Sequence, residues 1–306
     1  MKRMLIGISA AASLLATSAL AADLPARTYT KAPVYVEPVY DWTGFYVGGN
    51  IGYSWGRSNS TVSMSDPTGG TLLNSAIGKF NMDGVIGGGQ IGYNWQRDKW
   101  VFSLEADIQG SDQKGGTTGV CAGGSATATT LAGLSSACAI GHLGDTAPFN
   151  VAAFPVTDTL NQKLEWFGTV RGRIGPTITP TILAYVTGGL AYGQVNSSGT
   201  ISGTNIVGPQ GTNGSTLVPV AGAFSSSSTK VGWTIGAGVE GVISGNWTAK
   251  LEYLYIDLGS VSGSFATPLV APSGGFLTSS YNSHITDNIL RVGVNYRWGG
   301  PVVAKY

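Results

Sequence analysis

The segment Asn288–Trp298 limits the possible folds more than any other. Leu290, Val292, Val294, Tyr296 and Trp298 are apolar, and Arg291, Gly293, Asn295 and Arg297 sit between them. Alternation at period two describes a β-strand with one apolar and one polar face. Ending in aromatics, it fits a wall with lipid on one side and a polar interior on the other. Seven further segments alternate in the same way: Phe45–Trp55, Val85–Trp95, Trp100–Ile108, Leu164–Ile174, Ile182–Tyr192, Val231–Val239 and Trp247–Tyr255. Each is near the roughly 9–11 residues that a tilted strand needs to cross a bilayer.

The start of the chain gives such strands a destination. Residues 1–22 open on Lys2 and Arg3, continue through an apolar core, Leu5–Leu20, and end in small residues at Ala19-Leu20-Ala21. That is the build of a secretory signal peptide cut after Ala21 or one residue later. Residues 23–41, spotted with Pro25, Pro33 and Pro38, read as an extended periplasmic linker. The barrel is then expected over residues 42–306. No later run of about 18 apolar residues supplies a second helix candidate.

The connections alternate in length. Gln96–Lys99, Gly175–Thr181 and Ser244–Asn246 are short and carry turn chemistry. Arg57–Asp83, Gly110–Lys163, Gln194–Thr229 and Asp257–Thr286 are long and rich in Ser, Thr, Gly and Asn. The expected fold is all-β: an eight-stranded antiparallel up-and-down transmembrane β-barrel with short periplasmic turns and four long extracellular loops. The expected location is the outer membrane of a Gram-negative bacterium. Aromatics fall at strand ends, as two interfacial girdles require. Trp95, Trp100, Trp247 and Trp298 belong to the periplasmic end, and Trp55, Trp166 and Trp233 to the outer end. Trp42 lies on the periplasmic side with a parity that differs from the outward face of the first strand.

Composition agrees. Without Lys2 and Arg3 the 17 basic residues become 15 against 16 acidic ones, which leaves no basic stripe for nucleic acid. Glycine reaches 47 of 306 residues, much of it inside β-patterned runs such as Val85–Tyr93. Gly weakens a soluble strand, but in a narrow barrel it leaves room for bulky inward neighbours. The two cysteines, Cys121 and Cys138, stand in a Gly-, Ala-, Ser- and Thr-rich stretch, and in an oxidising compartment a disulfide closing that loop is the expectation. Only His142 is near them, too few ligands for a metal site.

The polar face is unusually charged. By parity, Glu105 and Asp107 point inward from the third segment, and Lys163, Glu165, Arg171 and Arg173 from the fourth. Glu240, Lys250, Glu252 and Arg291 follow from the last three. Charges in a tight interior must pair or be hydrated. Two readings stay open: a salt-bridged plug in a lumen just wide enough for side chains, or a charged constriction that passes small solutes.

Several stretches together resemble a known family. These are Asp41-Trp42-Thr43-Gly44-Phe45-Tyr46-Val47-Gly48-Gly49-Asn50-Ile51-Gly52-Tyr53, Gly87-Gly88-Gly89-Gln90-Ile91-Gly92-Tyr93-Asn94-Trp95, Leu251-Glu252-Tyr253-Leu254-Tyr255 with Asp257-Leu258-Gly259, and Asn288–Tyr296. In order and spacing they resemble the small outer-membrane immunogenic proteins of alphaproteobacteria, of Brucella and rhizobium type, within the opacity-like barrel superfamily. The resemblance implies a porin-like barrel with surface-exposed loops and roles in envelope integrity and host contact, and some relatives are associated with haemin. It carries no catalytic residues over. Barrels of this compartment usually end on an aromatic read by the assembly machinery. Here Tyr296 and Trp298 are followed by Gly299–Tyr306, so Trp298 or Tyr306 is the candidate signal.

Partners expected on these grounds are outer-membrane lipid and lipopolysaccharide, the barrel assembly machinery, and host or cell-wall contacts. No cofactor is expected. Catalysis is not expected either, since His142 and His284 lack the His-x-Ser spacing of lipid-deacylating barrels, and His284 near Asp287 reads as a solvated loop pair. Haem ligation by Tyr281, His284 or His142 is a further alternative. Gly87-Gly88-Gly89 lacks the Lys-Ser/Thr and strand-to-helix context of a phosphate loop.

Overall fold

The computed structural model describes residues 40–65, 71–121, 127–128, 149–150, 156–207, 216–268 and 276–299. The strands are β1 (Gly44–Ser65), β2 (Thr71–Arg97), β3 (Trp100–Cys121), β4 (Thr127–Ala128), β5 (Phe149–Asn150), β6 (Val156–Thr179), β7 (Ile182–Val207), β8 (Thr216–Ser244), β9 (Trp247–Pro268) and β10 (Phe276–Trp298). Eight of them close a barrel in the order β1-β10-β9-β8-β7-β6-β3-β2, while β4 and β5 make a separate two-stranded ladder. In the spanning zone closure pairs every strand on both sides, which lipid demands of any sheet that crosses it; further out, β2 pairs β3 only from Asp83 and Lys114 inward, and β8 pairs β9 only from Trp233 and Asp257 inward. The last strand joins the first in the register Phe45↔Trp298 and Ile51↔Val292.

Three two-residue turns join strands at the periplasmic end: Asp98-Lys99, Pro180-Thr181 and Gly245-Asn246. Asp98 and Gly245 take φ of 55° and 52°, the left-handed backbone that tight hairpins with right-twisted strands require.

The eight barrel strands run 22 to 29 residues, well past the roughly 9–11 needed to cross a bilayer. Much of the sequence expected as long loops is therefore ladder. Once the wall leaves the lipid its outer face needs no apolar residues, so the outward alternation stops while the hydrogen bonds continue. Asn59, Thr61 and Ser198 face out there, and Leu160, Leu164, Val195, Ile201 and Val261 are buried inside.

In the spanning zone the outer face is apolar, with Ile51, Leu104, Ile108, Leu190, Ile235, Leu251 and Val292 all exposed. Aromatic pairs border it. Phe45 with Trp298 (5.6 Å), Tyr93 with Trp95 (4.7 Å) and Trp247 with Tyr296 (5.1 Å) form the periplasmic girdle. Trp55 with Tyr253 (6.4 Å), Trp166 with Tyr192 (6.1 Å) and Trp233 with Tyr255 (5.5 Å) form the outer one. Such rings prefer the water–lipid boundary, where one end is apolar and the other wet.

Candidate functional site: the filled interior

Register brings the inward charges together in opposite-sign pairs. Glu105 on β3 is the cross-strand partner of Arg171 on β6, Glu240 on β8 that of Lys250 on β9, and Glu252 on β9 that of Arg291 on β10. Opposite charges at directly facing positions favour the ladder, and in so narrow a lumen the long side chains also reach across it.

Glu105 stands at the centre. Lys250 Nζ lies 3.0 Å from both of its oxygens, Arg173 Nη1 2.9 Å from Oε2, and Arg171 donates to Oε1. Asp107 Oδ2 accepts from Arg171 Nη2 at 3.0 Å, Arg291 Nη2 at 2.9 Å and the Thr169 hydroxyl at 2.8 Å. Glu252 takes Arg171 Nη1 at 3.0 Å on Oε1, and Arg291 Nε at 2.8 Å on Oε2. Glu240 accepts from Arg173 Nη2 at 2.7 Å. Four cations thus meet four carboxylates, and all eight side chains are buried. Unpaired, each would carry a desolvation cost of several kcal/mol. In the cluster every charge has an opposite at hydrogen-bond distance.

Neutral side chains that alternation alone did not single out complete the layer. Tyr46 donates to Glu105 at 2.7 Å and accepts from Arg173 at 2.9 Å. Tyr185 donates to Glu252 at 3.0 Å, and its ring lies 3.9 Å from the Arg173 guanidinium carbon. Thr248 and Asn295 donate to Glu240 at 2.6 Å and 2.9 Å. Tyr46 was findable, since it occupies an inward position between Phe45 and Val47. Glycine makes the room: a side chain at Gly92 would collide with the Tyr46 ring, and one at Gly52 with Arg291.

Below this layer the chain closes its own mouth. Trp42 is fully buried and packs with Tyr40, Val101, Leu183 and Tyr185. Its indole N–H donates to the Pro180 carbonyl at 3.1 Å, and its backbone N–H to Gln96 Oε1 at 2.7 Å. Arg297 sits over the rings of Tyr40 (4.9 Å) and Trp42 (5.2 Å) and donates to the Asp41 carbonyl at 2.9 Å. The odd parity of Trp42 is thus a reversal into the lumen. Above the charged layer, Phe80, Met82, Ile86, Phe167, Leu254, Ile256 and Ile289 are buried inside the barrel.

Some expected placements change. Lys163 and Glu165 are not in the lumen. A register shift between Leu164 and Trp166 makes β6 bulge, so Leu164 and Phe167 both point inward while Glu165 stays exposed beside Lys163 at 3.9 Å. A bulge inserts one residue and reverses parity beyond it. His284 pairs with Asp257 across β9 and β10 at 3.4 Å, not with Asp287, which accepts the Ser54 hydroxyl inside the barrel. Tyr281 is buried in the interior, stacked 5.1 Å from Phe224, while His284 is partly exposed, so the two do not converge on one iron. Cys121 ends β3, and Cys138, His142 and Tyr306 lie outside the described residues. Trp298 faces outward against Phe45, with Tyr296 5.2 Å away.

The chain is similar to known outer-membrane proteins. The chain is 35% identical over 295 residues to the 31 kDa outer-membrane immunogenic protein of Brucella melitensis, covering 95% of this chain and 98% of that one. It is 36% identical over 112 residues to the 22 kDa outer membrane protein of Rhizobium leguminosarum bv. viciae, covering 35% and 42% of the two chains. Among solved structures, the attachment invasion locus protein Ail of Yersinia pestis aligns with 82% of this chain and 99% of its own, at 11% identity and a TM-score of 0.32. Residues 8–298 match the outer membrane protein beta-barrel domain, and the chain belongs to that family as an integral outer-membrane barrel.

Proposed function

We propose that the barrel is a closed, non-catalytic anchor that carries its extracellular β-walled extension as a surface-presented structure, the part available to host or cell-wall contacts. The observation that carries this reading is the buried four-against-four charge cluster, sealed below by Trp42 and Tyr40 and covered above by apolar side chains. An eight-stranded lumen is just wide enough for side chains to fill, and here they fill it in three successive layers.

A second reading, slow diffusion of small solutes, is favoured by one feature. Asp107 Oδ1, Arg291 Nη1 and the Gln109 amide have no hydrogen-bond partner among the described residues. Buried polar atoms of this kind hold water, which would wet the charged layer at one level.

Single-channel conductance of the refolded mature protein in planar bilayers tests the proposal, beside Glu105→Ala and Arg291→Ala. An anchor gives no stable steps from a folded, heat-modifiable wild-type barrel. Reproducible wild-type steps whose ion selectivity shifts in the variants would establish the diffusion reading instead.

A further inference from the structure

Just above the outer aromatic girdle the outer wall carries a groove of about 700 Å³ across β3, β6, β7 and β8. Lys114, Asn161, Lys163, Gln194, Asn196 and Ser227 line it. In register, Lys114 faces Lys163, Lys163 faces Asn196, and Asn196 faces Ser227. The two lysines therefore occupy facing positions on the same, outer face of the sheet.

Like charges directly opposite in an antiparallel pair weaken the ladder. Each lysine has one carboxylate two residues along its own strand, Asp112 at 3.6 Å and Glu165 at 3.9 Å, with side-chain exposures of 41% to 71% across the four residues. Ion pairs this exposed contribute little, so they do not account for the juxtaposition. An anion held between the two lysines would offset it.

The groove is continuous with the lipid boundary. Trp166 of the girdle donates its indole N–H to Gln194 Oε1 at 2.7 Å, and the Gln194 amide donates to the Ser227 hydroxyl at 2.8 Å. Lys163 lies three residues beyond Trp166 with the β6 bulge between them, so at most about 10 Å further along the strand, which is headgroup depth. The remaining lining offers neutral amides and serine hydroxyls, groups that hydrogen-bond sugar hydroxyls.

We propose that this groove holds the phosphorylated sugar headgroup of an outer-leaflet glycolipid. Lys114 and Lys163 straddle one phosphate, and Asn161, Gln194, Asn196 and Ser227 meet the sugar. The inference rests on the outer-membrane placement of the barrel and is independent of whether the lumen conducts.

The test uses the refolded mature protein in phosphatidylcholine nanodiscs doped with bis-phosphorylated lipid A, with retained glycolipid counted by native mass spectrometry. K114A/K163A should lose retention by about tenfold, the effect of removing charge-assisted contacts, while K79A, exposed on β2 outside the groove, should retain it. Dephosphorylated lipid A should not distinguish wild type from the double variant. Heat-modifiable mobility confirms folding, and K114Q/K163Q serves if the alanine variant misfolds. Equal retention by wild type and double variant would overturn the site. Retention of phosphatidylglycerol as strong as that of lipid A would overturn the assignment to a glycolipid.

Discussion

Arg291 and Glu252 are register partners on adjacent strands, and the guanidinium grips the carboxylate from two atoms, Nε at 2.8 Å and Nη2 at 2.6 Å. Arg291 Nη2 also reaches Asp107 at 2.9 Å. Arg291→Met therefore leaves four buried carboxylates facing three cations, with Asp107 and Glu252 both leaning on Arg171, and should cost about 3–5 kcal/mol of unfolding free energy. Arg291→Met/Glu252→Met should recover part of that loss. Urea unfolding in lipid vesicles measures both, and a double variant whose cost equals the sum of the singles would show that the two residues are not coupled.

Trp42 closes the periplasmic mouth, but the charged layer above it has its own closure. Trp42→Ala should destabilise the barrel by about 3–5 kcal/mol, as deletion of a large buried aromatic does. It should still leave planar-bilayer recordings silent. Stable conductance from the folded variant would identify the N-terminal segment as the seal.

The boundary between spanning wall and extracellular extension is measurable by charge. Val292 faces lipid beside Ile51, and Asn59 is exposed on the extension. Val292→Arg should cost about 2–4 kcal/mol in vesicles, the cost of an arginine near the bilayer midplane. Asn59→Arg should fall within about 0.5 kcal/mol of wild type, as a surface change does. Equal costs would mean that the lipid reaches further up the wall than the girdles indicate.

Trp298 packs on Phe45 where the last strand closes onto the first. Trp298→Ala should lower the yield of assembled barrel in the outer membrane more than Tyr306→Ala. Similar yields of heat-modifiable protein from both variants would argue against an internal aromatic signal.

The spanning zone was legible in the sequence because lipid and lumen sort residues by parity. Leu290, Val292 and Val294 announced their face, and so did Arg291. The extension was not legible, because beyond the lipid its outer face is Ser, Thr and Asn, and such a strand looks like a loop. Glu165 was misplaced because a bulge is a backbone event that leaves no mark in a pattern of side-chain polarity. Trp42 could be flagged as out of phase, but only the fold shows that the chain turns back into the mouth. The lysine pair in the outer groove needs the register of β3 against β6, which two segments 49 residues apart in number (Lys114 and Lys163) do not disclose.

The pairing of Phe45 with Trp298 has a consequence for biogenesis. The contact that turns the sheet into a cylinder joins residues from opposite ends of the chain, the kind of long-range pairing that forms slowly. Until β10 arrives, β1 offers a bare row of peptide groups that lipid cannot solvate. A chain truncated before Asn288 would therefore be permanently open-edged, competent to pair with a neighbour and unable to finish itself. Insertion and completion have to be one event, and the carboxyl terminus decides when it occurs.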